Sequence, residues 1–181
     1  MRKIYLNAGH RGGNTGANYN NIQEAEETIW LRNRIAERLQ RKGVEVIIDN
    51  DSANLSTVVK TINSTCKPTD ICVDLHFNAF SNPSANGTEI FKPFSASNTE
   101  IEVAEDLLYA TCTILGTKNR GVKREGQGTH QRLAMLSDIK CNSVLLEVCF
   151  ISNIEDANKY KEKRDELVIL LSEQLLRHAH S

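Results

Sequence analysis

The sequence predicts an α/β fold: a single domain in which a twisted, mostly parallel sheet of about six strands carries helices on both faces. Three observations support this. Short apolar runs alternate with amphipathic segments, and the opening βαβαβ order calls for parallel strands joined by right-handed crossovers. The 181 residues are 40% hydrophobic and 25% charged, enough apolar material for one core. No internal repeat, low-complexity stretch or linker interrupts the chain, so residues 1–181 are expected to form one domain.

Each element has its own signal. "KIYLN" (3–7) is a short strand, and "EETIWLRNRIAERLQRKG" (26–43) places Ile29, Ile35 and Leu39 on one helical stripe that stops at Gly43. "VEVIID" (44–49) is the second strand. A helix over 52–65 has Leu55, Val58, Val59 and Ile62 on one face, and "ICVDLHFNA" (71–79) is the third strand. After the turn cluster "SNPSANG" (81–87) comes "TEIFKPF", a strand that Pro93 cuts short, and then the amphipathic helix "TEIEVAEDLLYATCTIL". Residues 116–130 read as a loop rich in glycine and basic residues. "RLAML" and "SVLLEVCF" read as two more strands, and "YKEKRDELVILLSEQLLRHAH" as a closing helix.

Charge and cysteine usage bound the function. Lys plus Arg number 22 against 23 Asp plus Glu, a net charge of -1, so no global field draws the chain to nucleic acid or to an anionic membrane. Any polymeric substrate must be gripped locally, and no obligate protein partner is indicated. The 5 cysteines have no CxxC pairing and several lie in apolar runs, which points to free thiols rather than to disulfides or a zinc knuckle. "MRKIYLN" opens the chain without an apolar segment of signal-peptide length, and no apolar run is long enough to span a bilayer. The expectation is a protein made in the cytoplasm that acts elsewhere only after release.

In open α/β sheets, ligands bind beyond the carboxyl ends of the strands. Three polar groups fall at such ends: His10 after the first strand, His76 late in the third, and Glu147 in "SVLLEV". The acidic group Glu24, Glu26 and Glu27 opens the first long helix, where the helix dipole favours carboxylates in any case. Two imidazoles, a carboxylate and an open position make a catalytic zinc set. Spacing alone leaves the alternative open, in which His10 stabilises a turn and His76 is a hydrogen-bonded core residue.

The motifs themselves carry a resemblance. "NAGHRGGNTGA", "EAEETIWLRNRIAERL", "DLHFNA" and "LLEVCFISNIED", with "NRGVKR" before "LAML", resemble in order the motifs of the zinc-dependent N-acetylmuramoyl-L-alanine amidases of the amidase-3 type. The likeness runs from about Lys3 to the last helix. It implies the catalytic domain of a phage or prophage endolysin or of an autolysin, acting on bacterial peptidoglycan with Zn²⁺. It implies His10, Glu24 and His76 as metal ligands and Glu147 as the residue that moves the water's proton. Glu24 is taken over Glu26 because its register places Ile29, Ile35 and Leu39 on the family's apolar positions, whereas Glu26 would place Asn33 and Glu37 there.

Asn78, Arg120 and His130 are candidate substrate contacts, and the basic residues Lys118, Arg120, Lys123 and Arg124 are candidates to meet stem-peptide carboxylates. The chain departs from the family's pattern at Asn7-Ala8, where aspartate-proline is common. It departs again at Asp74, which replaces a frequent serine two places before His76, and at Cys149, which stands where glycine is frequent. Cys149 lies in an apolar strand with no partner indicated, which argues against a nucleophilic thiol. Two other classes compete with the amidase reading: another zinc hydrolase such as a carboxypeptidase, and a wall-binding module that has lost catalysis. The order of the motifs argues against the first, and the presence of every ligand and of Glu147 against the second.

Overall fold

A computed structural model describes residues 1–10, 13–127 and 132–181. The chain runs through β1 (Ile4–Ala8), a small hairpin of β2 (Asn18–Tyr19) and β3 (Ile22–Gln23), α1 (Glu24–Arg41), β4 (Val46–Ile48), α2 (Leu55–Thr65) and β5 (Ile71–Asn78). It continues through β6 (Thr88–Lys92), α3 (Asn98–Leu115), β7 (Asn119–Arg124), α4 (Ala134–Ser137), β8 (Asn142–Phe150) and α5 (Ile154–His180). The main sheet has 6 strands in the order β4-β1-β5-β8-β6-β7. Every neighbouring pair is parallel except β6 with β8.

Alternation along the strands divides the side chains between two unequal layers. Ile4, Leu6, Val73, Leu75, Val144 and Leu146 face α1, α3 and α5 in a large buried cluster with Leu31, Ile35, Leu107 and Leu171. On the opposite face, α2 and α4 cover only part of the sheet, with Val58, Ile62 and Met135 packed on Tyr5 and Cys72, and Leu136 on Phe91 and Leu145. Asp74, His76, Asn78, Glu89 and Glu147 are left to line a cleft of about 1010 Å³. The site therefore lies on the under-covered face of the sheet as well as at its rim.

Several expected elements differ. Residues 119–124, read as loop, form β7 at the sheet edge; an edge strand tolerates lysine and arginine, so its charged sequence hides the alternation. "RLAML", read as a strand, folds as the short helix α4, closed by its own turn through Leu136 N to Leu133 O (2.8 Å) and Ser137 N to Leu133 O (2.9 Å). A short apolar run does not by its periodicity distinguish strand from helix. Helix α5 begins at Ile154, earlier than the expected Tyr160, because the Asn153 side chain caps it by accepting from Asp156 N at 3.0 Å. In α1 Leu31 is fully buried and Ile29 only half-buried, and in α2 Leu55 is exposed into the cleft rather than packed. The free cysteines accord with the expected thiols; Cys72, Cys141 and Cys149 are buried, and Cys66 and Cys112 are half-buried. Among the described residues no helix is long and apolar enough to cross a membrane.

Candidate active site

The turn after β1 is built so that backbone and imidazole pack closely. Gly9 N donates to Leu75 O at 2.7 Å and Gly9 O accepts from Thr28 Oγ1 at 2.9 Å, which ties the turn to both β5 and α1. A Cβ on Gly9 would stand 2.4 Å from His76 Cε1, so the ring occupies the space that any larger residue would need. His10 follows with φ 55°, a left-handed backbone that few non-glycine residues adopt. At Gly16, where φ is 65°, a Cβ would come within 2.7 Å of both His10 Cγ and Glu24 Oε2.

Glu24 is placed by the start of α1. Asn20 and Asn21 both have positive φ (52° and 58°), as a two-residue hairpin turn requires, and β3 leads directly into the helix. The first helical N–H groups are capped by loop carbonyls, Glu24 N to Ala17 O at 2.9 Å and Ala25 N to Thr15 O at 3.2 Å. The Glu24 carboxylate accepts from Ala17 N and from Phe77 N, each at 3.0 Å. It lies 3.2 Å from His10 Nε2 and 3.1 Å from His76 Nδ1. Burial opposes its charge, but the hydrogen bonds from His10, His76 and Ala17 outweigh that and hold it well below the usual carboxylate range.

His76 is clamped from its other side by Asp74, whose Oδ2 is 3.1 Å from Nε2. Burial disfavours a charged ring, yet Asp74, Glu24 and Glu147 prevail and hold its pKa well above the ordinary histidine value. One ligand atom from each of His10, Glu24 and His76 lies within 4.8 Å of the other two. Two ring nitrogens and one carboxylate oxygen, the carboxylate oriented by backbone donors and the His76 ring by Asp74, match the donor chemistry of a zinc site.

Glu147 on β8 is the register partner of His76 on β5 and of Glu89 on β6. Its Oε2 is buried without a hydrogen-bond partner among the described residues. Burial, reinforced by Glu24, Glu89 and Asp74 and opposed by His76, pushes the carboxyl up to about 7. Beyond Glu147 the pairing shifts by one residue, from His76 with Glu147 to Asn78 with Phe150. This bulge turns Cys149 into the apolar core and Phe150 into the cleft. Burial pushes the Cys149 thiol well up, which removes it as a thiolate nucleophile.

The structure brings His10, Glu24, His76 and Glu147 together. Asn78 and Arg120 reach the same cleft, where both bond Glu89, at 2.9 Å from Asn78 Nδ2 and 2.6 Å from Arg120 Nε. His130 lies outside the described residues. Glu26 is exposed. Glu27 is no idle first-turn carboxylate, since it accepts from Tyr160 Oη at 2.9 Å and pairs with Arg164 at 2.9 Å, tying α1 to α5. Sequence reasoning passed over Glu89, whose signal was a carboxylate on the apolar strand "TEIF". It also read Asp74 only as a departure and missed its contact with the ring.

Comparisons with known proteins agree with this architecture. The family model described as N-acetylmuramoyl-L-alanine amidase matches residues 4–170. The N-acetylmuramoyl-L-alanine amidase LytC of Bacillus subtilis (strain 168) is 26% identical over 162 residues, covering 88% of this chain and 31% of LytC, so the chain spans about a third of that relative's length. The catalytic domain of the CD27L endolysin targeting Clostridia difficile superimposes with a TM-score of 0.79 at 27% identity, covering 98% of each chain. The N-acetylmuramoyl-L-alanine amidase from Clostridium difficile 630 shares the fold with a TM-score of 0.86 at 18% identity, covering 100% of this chain and 98% of that one.

Proposed function

Because the chain belongs to the N-acetylmuramoyl-L-alanine amidase family of the amidase-3 type, we propose that it is a zinc-dependent catalytic domain that cleaves the amide bond between N-acetylmuramic acid and L-alanine in bacterial peptidoglycan. The observation that carries this reading is the Oε2 of Glu147, buried with no hydrogen-bond partner among the described residues, next to the His10–Glu24–His76 cluster. Among the described residues no packing contact calls for a carboxylate at this place, and a buried polar oxygen left without a partner costs free energy.

His10, Glu24 and His76 would hold the metal, with Asp74 holding the His76 ring so that Nδ1 faces the site. When bound there, zinc would supply Lewis acidity for the scissile carbonyl and would lower the pKa of a water from about 16 towards ~7. Glu147, with a carboxyl near neutrality, takes the proton from the attacking water and delivers it to the departing L-alanine amine. The Glu24 carboxylate stays ionised throughout, because two backbone N–H groups and both imidazoles stabilise its charge.

The test is metal analysis of the purified protein together with mass spectrometry of digested peptidoglycan. Near one zinc per chain, free L-alanine amino termini and intact glycan strands are expected. New reducing ends would identify a glycosidase instead, and new amino termini within the stem a peptidase.

A further inference from the structure

Beside the proposed catalytic groups, the cleft wall carries a charge arrangement that the hydrolysis reading leaves unused. Glu89, 6% exposed, binds two cations through the same oxygen: Arg120 Nε at 2.6 Å and Lys123 Nζ at 2.5 Å from Oε2. Residues three apart on a regular strand face opposite ways. Here they share a face because β7 is bulged: Thr88 pairs with Asn119 but Ile90 with Val122, so β7 carries one extra residue, and Gly121 with φ 92° absorbs it.

The pair exceeds what is needed to tie β7 to β6, since two cations face a single carboxylate. Arg120 also donates from Nη1 to Asn86 O at 3.2 Å and lies over the Phe150 ring at 4.8 Å, while Nη2 has no partner among the described residues. Lys123 Nζ sits 5.8 Å from the Phe91 ring. Both side chains line the cleft, 30% and 25% exposed, so they are reachable yet partly shielded from solvent. The wall thus offers a net positive charge and unspent N–H donors, the complement of a carboxylate.

Distance selects which carboxylate. Both cations reach back from β7 to Glu89 on β6, the register partner of Glu147 on β8, so their charged ends lie about one strand spacing, about 5 Å, from Glu147. An extended peptide advances about 3.5 Å per residue, and the arginine side chain reaches back over Phe150. The group that meets the cations is therefore carried by the residue after the L-alanine.

We propose that Arg120 and Lys123, held on one face by the β7 bulge and by Glu89, form a carboxylate subsite for the second residue of the stem peptide and make the enzyme prefer stems in which that carboxyl is free over stems in which it is amidated. This rests on the amidase reading above. Glu89 acts as a positioning residue: Lys123 and Arg120 keep it ionised against the cost of burial, and it keeps both cations aimed into the cleft.

The experiment uses the zinc-loaded full chain and two synthetic N-acetylmuramoyl peptides beginning L-alanyl-γ-D-glutamyl, identical except that the glutamyl α-carboxyl is free or a carboxamide. The free acid is expected to have the higher kcat/KM by about tenfold, the scale of one partly exposed charge-assisted bond. The preference should shrink as salt is raised, and should largely vanish in Lys123→Met and Arg120→Met while Lys123→Arg retains it. Calorimetry with the dipeptide L-alanyl-γ-D-glutamate and its α-amide gives the same ranking without turnover. Equal rates on the two substrates in the wild type overturn the subsite, as does a loss in Lys123→Met that falls equally on both. Failure of the zinc-loaded wild type to cut either substrate overturns the amidase reading and the subsite with it.

Discussion

Asp74 Oδ2 lies 3.1 Å from His76 Nε2, on the side of the ring away from Glu24, which faces Nδ1 at 3.1 Å. A carboxylate at this place accepts a hydrogen bond from Nε2–H, so that a metal displacing the Nδ1 proton meets the Nδ1 lone pair, and ring orientation and tautomer are set together. Asp74→Ala should therefore weaken zinc binding by about 10- to 100-fold, read in a chelator competition titration, with His10 and Glu24 still in place. Unchanged affinity would show that packing alone orients the ring.

Glu24 and Glu26 stand two residues apart on the first turn of α1 but have opposite surroundings, one enclosed by two imidazoles and two backbone N–H groups, the other exposed. Glu24→Ala is expected to abolish stoichiometric zinc uptake. Glu26→Ala should lower thermal stability by only ~0.3–1 kcal/mol, the value of a carboxylate near a helix N-terminus, with metal content unchanged.

Glu147→Gln keeps the shape but cannot take a proton. Hydrolysis should fall by about 10² to 10⁴ while zinc is retained. In the metal-free protein the same substitution has a stability signature. The folded carboxyl titrates at about 7, above its unfolded value near ~4.3, so its stabilising protonation is complete at low pH and is lost as pH rises through that window. From pH 4 to pH 8 wild-type stability should fall relative to Glu147→Gln by about 3 kcal/mol at most. Parallel denaturation curves across that range would remove the buried-carboxyl interpretation.

Gly9 is packed against the His76 ring, and an added methyl would overlap Cε1 at 2.4 Å. Gly9→Ala should displace the imidazole and cost most of the zinc affinity, although Gly9 itself offers no ligand. Gly43→Ala is the control, since a Cβ there meets nothing within 4 Å; its φ of 81° predicts a loss of stability of about 1 kcal/mol without an effect on metal. Equal metal affinity in the two variants would refute the packing argument.

The strand and helix alternation, the parallel sheet and the placement of His10, His76 and Glu147 at strand ends could all be read along the chain, because each depends on local periodicity or on a short motif. Glu24 was selected by a register that put Ile29 on the buried stripe. The structure buries Leu31 more completely than Ile29, and what carries Glu24 between the two imidazoles is the Asn20–Asn21 hairpin and the loop carbonyls that cap α1. Pairing partners and register are non-local, and they decided the rest. The bulge in β8 separates Phe150 from Cys149, the bulge in β7 puts Arg120 and Lys123 on one face, and Glu89 becomes legible only when β6 lies beside β8 and its carboxylate meets two cations. A one-residue shift in pairing reverses which face a side chain takes, and no composition or spacing along a single chain records where that shift occurs.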